Sequence, residues 1–341
     1  MREIIWHKIL QKTTFSRLIN LSQVATGLIL STTKREAISF GIPPVLQIEP
    51  TNSCNLKCPL CDSGNGAMKR KKGNFDLHLF KKILDEIGKK VWLILFYHQG
   101  EPFISPDFLA AVRAANKLGI YTNTNTNGHY MSAKVAAETV HSGLDSLILS
   151  YDGINQESYA KYRQNGNLEK VRQSVKNLVE AKKRFNSKTP YILLQCLIHK
   201  YNEHTRDIIR KQGQDMEVDR VLFKNIQVNS FEDAVEWLPK NENFKRYKIA
   251  ENRLENKKSG TFFCPRPWTT SLINWDGRVV PCCFDKNATH VMGDLNQENF
   301  TKLWRNDKYT RFRKEFLTAE QMAPMCKNCH QGKGIWINDK N

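Results

Sequence analysis

Three cysteines fall within eight residues, Cys54-Asn55-Leu56-Lys57-Cys58-Pro59-Leu60-Cys61, directly after an apolar run ending Leu46-Gln47-Ile48-Glu49-Pro50. Three thiolates held this closely suit three corners of a metal cluster or three positions on a zinc ion. A disulfide set does not fit, because the number is odd and the loop too tight. Three protein ligands leave one metal position open, and an open position is where chemistry occurs. A second group lies near the C-terminus: Cys264, the adjacent pair Cys282 and Cys283, and Cys326-x2-Cys329. The remaining cysteine, Cys196, falls mid-strand and reads as a small core residue. Clustered cysteines without a secretory signal predict metal ligation in a reducing cytoplasm.

The 341 residues suffice for one large domain and a smaller one. The composition, 40% hydrophobic and 25% charged, is that of a soluble globular protein, but the net charge of +18 is high. Such a chain attracts anions: phosphorylated small molecules, nucleic acid or an anionic membrane surface. The charge does not choose among them. Lys69-Arg70-Lys71-Lys72 reads as a solvated face, with a phosphate contact as the alternative. Between Phe15 and Leu30, apolar residues Leu18, Leu21, Val24, Ala25, Leu28 and Ile29 recur at helical spacing, interrupted by Arg17, Asn20, Ser22 and Gln23. Spanning a bilayer takes about twenty predominantly apolar residues. This stretch therefore predicts a helix packed on the main domain, with peripheral membrane contact through residues 15–30 as the sharper alternative.

These residues need elements to position them. From Val45, short apolar runs alternate with amphipathic segments. Strands are predicted at Leu46–Glu49, Trp92–Tyr97, Tyr121–Thr126, Ser146–Tyr151, Ile192–Ile198 and Arg220–Lys224. Helices are predicted at Leu77–Gly88, Pro106–Leu118, Ala133–Ser142, Leu168–Phe185 and Glu203–Gln212, two of them followed by Gly119 and Gly143 as C-caps. Six β/α units predict an α/β fold with a parallel sheet, most simply a partial (β/α)6 TIM-type barrel whose site lies at the C-terminal strand ends. The three cysteines, His98-Gln99-Gly100-Glu101-Pro102, Asn125-Thr126-Asn127-Gly128 and Ser150-Tyr151-Asp152-Gly153 all fall on that rim.

In that register, Cys54-x3-Cys58-x2-Cys61 resembles the signature of the radical S-adenosylmethionine (radical SAM) family. The likeness covers about residues 45–226. It implies that Cys54, Cys58 and Cys61 hold a [4Fe–4S] cluster whose fourth iron is chelated by SAM, yielding a 5′-deoxyadenosyl radical that abstracts a substrate hydrogen. Gly100 and Glu101 match the family's GGEP stretch, which holds the SAM amino group; Gln99 replaces its first glycine. Ser150 matches a residue that contacts SAM, in a strand-4 motif that includes Asp152. Arg163 matches an arginine that pairs with the SAM carboxylate, a role suited to a guanidinium fork. Asn127 and Gln195 are further rim contacts. The implied reductant is of the flavodoxin or ferredoxin type.

The C-terminal region resembles the SPASM/twitch extension of that family, which holds auxiliary [4Fe–4S] clusters. Asp276-Gly277 predicts a hairpin flanked by Cys264 and Cys282. Full SPASM domains use about seven cysteines for two clusters; five here suit one, with Cys264, Cys282, Cys326 and Cys329 as ligands. Strand alternation turns Cys283 away, and His330 is an outside candidate. Zinc remains the alternative, since four cysteines ending in C-x2-C also describe a zinc ribbon. The expected division is an N-terminal helical extension (1–44), a radical SAM partial barrel (45–227), a linker (228–263) and an auxiliary cluster domain (264–341). The single-cluster arrangement resembles radical SAM dehydrogenases acting on aminocyclitols. It implies oxidation or epimerisation of a small molecule such as a sugar, cyclitol or lipid-linked intermediate; an anionic substrate would suit the charge. Peptide modification, RNA modification and a non-catalytic zinc protein binding nucleic acid are the alternatives, and no appended RNA-binding motif supports a nucleic-acid partner. The catalytic acid or base is not identified.

Overall fold

The computed structural model describes residues 8–251, 253–257, 264–318, 323–327 and 329. His330, most of the turn expected at Lys257–Gly260 and the first seven residues lie outside the described residues.

Six strands form the predicted parallel array: β1 (Val45–Ile48), β2 (Leu93–Phe96), β3 (Tyr121–Thr126), β4 (Ser146–Ser150), β5 (Tyr191–Ile198) and β6 (Arg220–Asn225). Each pairs in parallel with the next. In chain order the helices so far are α1 (Phe15–Lys34), α2 (Asp62–Asn65), α3 (Leu77–Ile87), α4 (Phe108–Lys117), α5 (Ala133–His141), α6 (Gln156–Tyr162), α7 (Leu168–Arg184) and α8 (Arg206–Asp215). Side-chain caps start several of them: Asp76 accepts the His78 N–H, Ser132 that of Val135 and Asn167 that of Lys170. The crossover helices bury one stripe. On α3 this is Phe80, Ile83, Leu84 and Ile87, packed through edge-on Phe75–Phe80–Phe96–Phe108 contacts. Truncating Phe80 to alanine would cost about 3–5 kcal/mol.

The sheet does not close. Its order is β11-β10-β9-β1-β2-β3-β4-β5-β6, because β9 (Thr270–Ile273) pairs parallel with β1 and continues antiparallel into β10 (Arg278–Val280) and β11 (Gly293–Asp294). The expected hairpin about Asp276-Gly277 is thus joined to the main sheet. The segment read as a linker carries structure too. Helix α9 (Phe231–Trp237) buries Ala234 and Trp237, and β7 (Tyr247–Ala250) pairs antiparallel with β8 (Arg253–Asn256). Four helices complete the C-terminal part: α10 (Arg266–Thr269), α11 (Phe300–Trp304), α12 (Asp307–Thr318) and α13 (Pro324–Lys327).

Helix α1 packs on the main body through an unexpected face. Its buried residues are Arg17, Asn20, Val24, Gly27 and Ser31. Arg17 donates to the carbonyls of Val91, Gly119 and Leu118, and Asn20 to that of Ile42, all just ahead of strands β1–β3. The helix therefore lies across the end of the sheet opposite the cysteine-bearing rim. Of its apolar residues Val24 packs inward, while Phe15, Leu18, Ile19, Leu21 and Ile29 face out. No helix among the described residues is long and apolar enough to cross a membrane.

Candidate active site

The loop after β1 is held from several sides. Glu101 donates its N–H to Ser53 O at 2.8 Å, and Lys57 to Gln164 O at 2.9 Å. Gly100 has φ +76°, and a Cβ there would lie 2.4 Å from Thr51 O, so only glycine lets the two loops meet. The cysteines carry free thiols, with Cys58 buried and Cys54 and Cys61 half-buried. Burial pushes the Cys54 thiol up to about 11, partly offset by the Leu56 N–H, which donates to its sulfur at 3.5 Å. Cys58 is likewise raised by burial, against the pull of Arg163.

One hydrogen-bond network ties these thiols to the glycine–glutamate turn. Asn127 donates its backbone N–H to Glu101 Oε2 at 2.7 Å, and its side chain reaches Cys54 Sγ at 3.7 Å and Asn55 Oδ1 at 2.8 Å. Glu101 Oε1 accepts from Thr126 Oγ1 at 2.7 Å and Phe103 N at 3.2 Å. Burial nevertheless pushes the Glu101 carboxyl up to about 7. Gln99 braces the same turn, its Oε1 accepting from Ser63 N and Oγ at 3.3 and 3.0 Å, while Ser63 Oγ accepts the Gly100 N–H at 3.2 Å. Where the family motif has its first glycine, this chain therefore has a link between α2 and the turn.

Arg163 follows α6 and bridges in the same way. Its Nε donates to Asp152 Oδ2, and its Nη1 reaches Cys58 Sγ at 3.6 Å. Asp152 is fully buried, and its Oδ1 accepts the Leu197 N–H at 2.6 Å. Both oxygens are thus hydrogen-bonded inside the protein, and Asp152 orients the Arg163 guanidinium. Ser150 Oγ donates to Asn125 Oδ1 at 3.4 Å, and Gln195 is its register partner on β5. Both are buried, Ser150 at the end of β4 and Gln195 within β5.

The basic loop departs from its expected solvated face at Arg70. This residue forms a buried bidentate pair with Glu49, donating to Oε1 at 2.6 Å and Oε2 at 2.7 Å, and its Nε donates to Lys286 O at 2.8 Å. Glu49 also accepts the Trp275 N–H at 3.3 Å. The end of β1, the cysteine loop and the C-terminal hairpin are therefore clasped together. Around Glu49, His98 Nε2 and both amide atoms of Asn274 are buried with no hydrogen-bond partner among the described residues. Burial keeps His98 below the usual imidazole range, so it is neutral at pH 7.

In the C-terminal part, burial pushes the Cys326 thiol up to about 12, with Cys329 and Cys264 as further neighbouring charges. Cys264, Cys282 and Cys283 all act on the guanidinium of Arg266, which donates to Cys283 Sγ at 3.1 Å. Strand alternation does not govern Cys283, because β10 stops at Val280. Instead Cys282 and Cys283 hydrogen-bond each other, keeping Cys282 protonated and, with Arg266, drawing Cys283 down. Cys283 acts electrostatically on Tyr97 and His98, facing the rim. Among the described residues, no three His, Cys, Asp or Glu side chains converge tightly enough for one metal ion. Thiols that receive N–H donors suit an iron–sulfur cluster, whose potential and stability are tuned by hydrogen bonds to the sulfurs.

Two family models cover the two cysteine groups. Residues 48–212 match the model of the radical SAM superfamily, and residues 264–330 that of the SPASM iron–sulfur cluster-binding domain. The chain belongs to the radical SAM superfamily and carries a SPASM domain, so its cofactors are SAM and [4Fe–4S] clusters. A tungsten-containing aldehyde ferredoxin oxidoreductase cofactor-modifying protein of Pyrococcus furiosus is 26% identical, covering 83% of this chain and 86% of that protein. A PqqA peptide cyclase of Bradyrhizobium diazoefficiens is 23% identical (88% and 82% covered), and a SAM-dependent 2-deoxy-scyllo-inosamine dehydrogenase of Niallia circulans 20% identical (84% and 92%). The same fold occurs in Streptococcus suis SuiB bound to its precursor peptide SuiA, with a TM-score of 0.61 at 14% identity over 86% of this chain and 71% of that one.

Proposed function

We propose that this enzyme oxidises or epimerises a small molecule by hydrogen abstraction. Cys54, Cys58 and Cys61 would hold the SAM-binding cluster, and Cys264, Cys282, Cys326 and Cys329 an auxiliary one. When bound, the first cluster and SAM supply a 5′-deoxyadenosyl radical. Glu101, backed by Thr126 and Asn127, would take the SAM ammonium, and Gly100 lets that group approach the backbone. Arg163, aimed by Asp152, would take the SAM carboxylate, with Ser150 and Gln195 lining the rim beside it. The single observation carrying this assignment is the pair of bridges Asn127–Cys54 and Arg163–Cys58, which join the thiols to the two groups of opposite charge that an amino acid requires.

The small-molecule reading draws on the five C-terminal cysteines, enough for one auxiliary cluster, and on the cofactor-modifying and cyclitol-dehydrogenating names of two relatives. An auxiliary cluster with four cysteine ligands has no open iron and suits the acceptance of one electron. Peptide modification is the second reading, favoured by the PqqA peptide cyclase. Anaerobic incubation with dithionite, SAM and deuterated candidates tests both. Deuterium appearing in 5′-deoxyadenosine from a cyclitol, sugar or lipid-linked candidate supports the first; transfer only from peptides overturns it.

A further inference from the structure

Helix α1 buries Arg17, Asn20, Val24, Gly27 and Ser31, while Phe15 (79% exposed), Ile29 (60%), Leu18 (49%), Ile19 and Leu21 face out, interspersed with uncharged Ser22, Thr26 and Thr33. Between Phe15 and Thr33 the only charged residue is Arg17, and its guanidinium is taken up inside by backbone carbonyls. The outward face therefore carries no charge over its length. Leu10 and Phe40 extend the patch, so that residues 10–40 hold seven of the twelve exposed large apolar side chains among the described residues. Single exposed apolar residues need no explanation; a contiguous concentration marks a contact surface.

Its surroundings select the occupant. Exposed Lys34 and Arg35 end the helix, and exposed Lys89 and Lys117 lie in the segments that Asn20 and Arg17 grip from below. Glu36 opposes them within the segment, in a chain of net charge +18. An uncharged strip rich in large apolar side chains and bordered by cations complements an anionic lipid surface. A second copy fits less well, because a two-fold contact would bring the same cations face to face. The placement also suits docking: α1 lies across the N-terminal ends of the strands, so a bilayer there leaves the cysteine-bearing rim open. We infer that the outward face of α1 docks this enzyme peripherally on anionic membranes.

Co-sedimentation of the full chain with phosphatidylcholine vesicles, with and without about one-third phosphatidylserine, tests this. Wild type should pellet with the anionic vesicles and far less with neutral ones. The double variant Leu18→Glu/Ile29→Glu should bind at least about tenfold more weakly with an unchanged thermal midpoint, both sites being exposed. Ser22→Leu, on the same face, should bind more tightly, which keeps the test decisive if the double variant folds poorly. Wild type remaining in the supernatant with both vesicles would overturn the inference. So would a dimer in light scattering that Leu18→Glu/Ile29→Glu dissolves, since that would assign the face to a second copy.

Discussion

Glu49 and Arg70 meet through two parallel hydrogen bonds of 2.6 and 2.7 Å, with side-chain exposures of 0 and 2%. The pair joins the last residue before the cysteine loop to the basic run after it, and Glu49 extends the link to Trp275. Removing one partner would leave a buried charge uncompensated. Arg70→Ala should therefore destabilise the cluster-free chain by about 3–5 kcal/mol in denaturant unfolding. Replacing both by apolar residues, Glu49→Leu with Arg70→Met, should recover most of that loss. Arg70→Ala at parental stability would refute the clasp.

In the proposed site, Asp152 would act on SAM through Arg163, to which its Oδ2 is hydrogen-bonded. Asp152→Asn keeps an acceptor for the Leu197 N–H but turns an amide toward the guanidinium and removes the charge that holds it. SAM affinity measured by equilibrium dialysis should fall about tenfold or more. Iron content should not change, because no thiol is lost, and Asp152→Glu should restore part of the affinity. A parallel loss of iron would instead show that the aspartate serves the fold of the cysteine loop.

The parallel sheet was legible because its strands are buried runs bounded by turn residues, and five crossover helices carry an apolar stripe of helical period. Tyr121–Thr126 matches the predicted strand at both ends, and Gly119 and Gly143 take the expected left-handed cap conformation. The pairing of β9 with β1 was not legible, since nothing local in Thr270–Ile273 names a partner more than 200 residues away. Helix α1 shows the limit of periodicity: its apolar spacing was real, but hydrogen bonds from Arg17 and Asn20 to strand-end carbonyls decided which face packs. Arg70 was hidden by its company. Among four consecutive cations a buried one looks like its neighbours, although a charged Glu49 ending an apolar strand signals the need for a partner.

With Glu101 in the role proposed for it, stability and SAM binding should respond oppositely to its ionisation. Burial raises its carboxyl from the ordinary 4.5 to about 7 in the folded chain. Between those values the folded state holds the proton more tightly than the unfolded state, so its contribution to stability is present at low pH and is lost as pH rises through about 7. A shift of this size corresponds to about 3 kcal/mol. Relative to Glu101→Gln, wild-type cluster-free protein should lose about that much between pH 5 and pH 9 in denaturant unfolding. In the proposed site SAM's ammonium would compensate the buried charge, so wild-type affinity for SAM should strengthen as pH rises through 7. A flat stability difference across that range would remove the basis for both effects.

Cys282 and Cys283 are neighbours in sequence and hydrogen-bond each other, yet their surroundings give them different roles. Cys283 takes the Arg266 N–H at 3.1 Å and acts electrostatically on Tyr97 and His98 at the rim. Cys282 follows the hairpin strand and acts on Arg266 alongside Cys264, which in turn neighbours Cys326. Two [4Fe–4S] clusters correspond to about eight irons per chain, and losing one ligand of four removes an auxiliary cluster's iron. Cys282→Ser should therefore reconstitute with about four irons and retain reductive SAM cleavage, whereas Cys283→Ser should keep about eight. With the thiol gone, Arg266 loses the sulfur that anchors it beneath the rim, so Cys283→Ser should alter substrate turnover without altering substrate-independent cleavage of SAM. Iron and sulfide analysis after anaerobic reconstitution decides the ligand assignment. A half-loaded Cys283→Ser protein beside a fully loaded Cys282→Ser protein would exchange the roles of the two thiols.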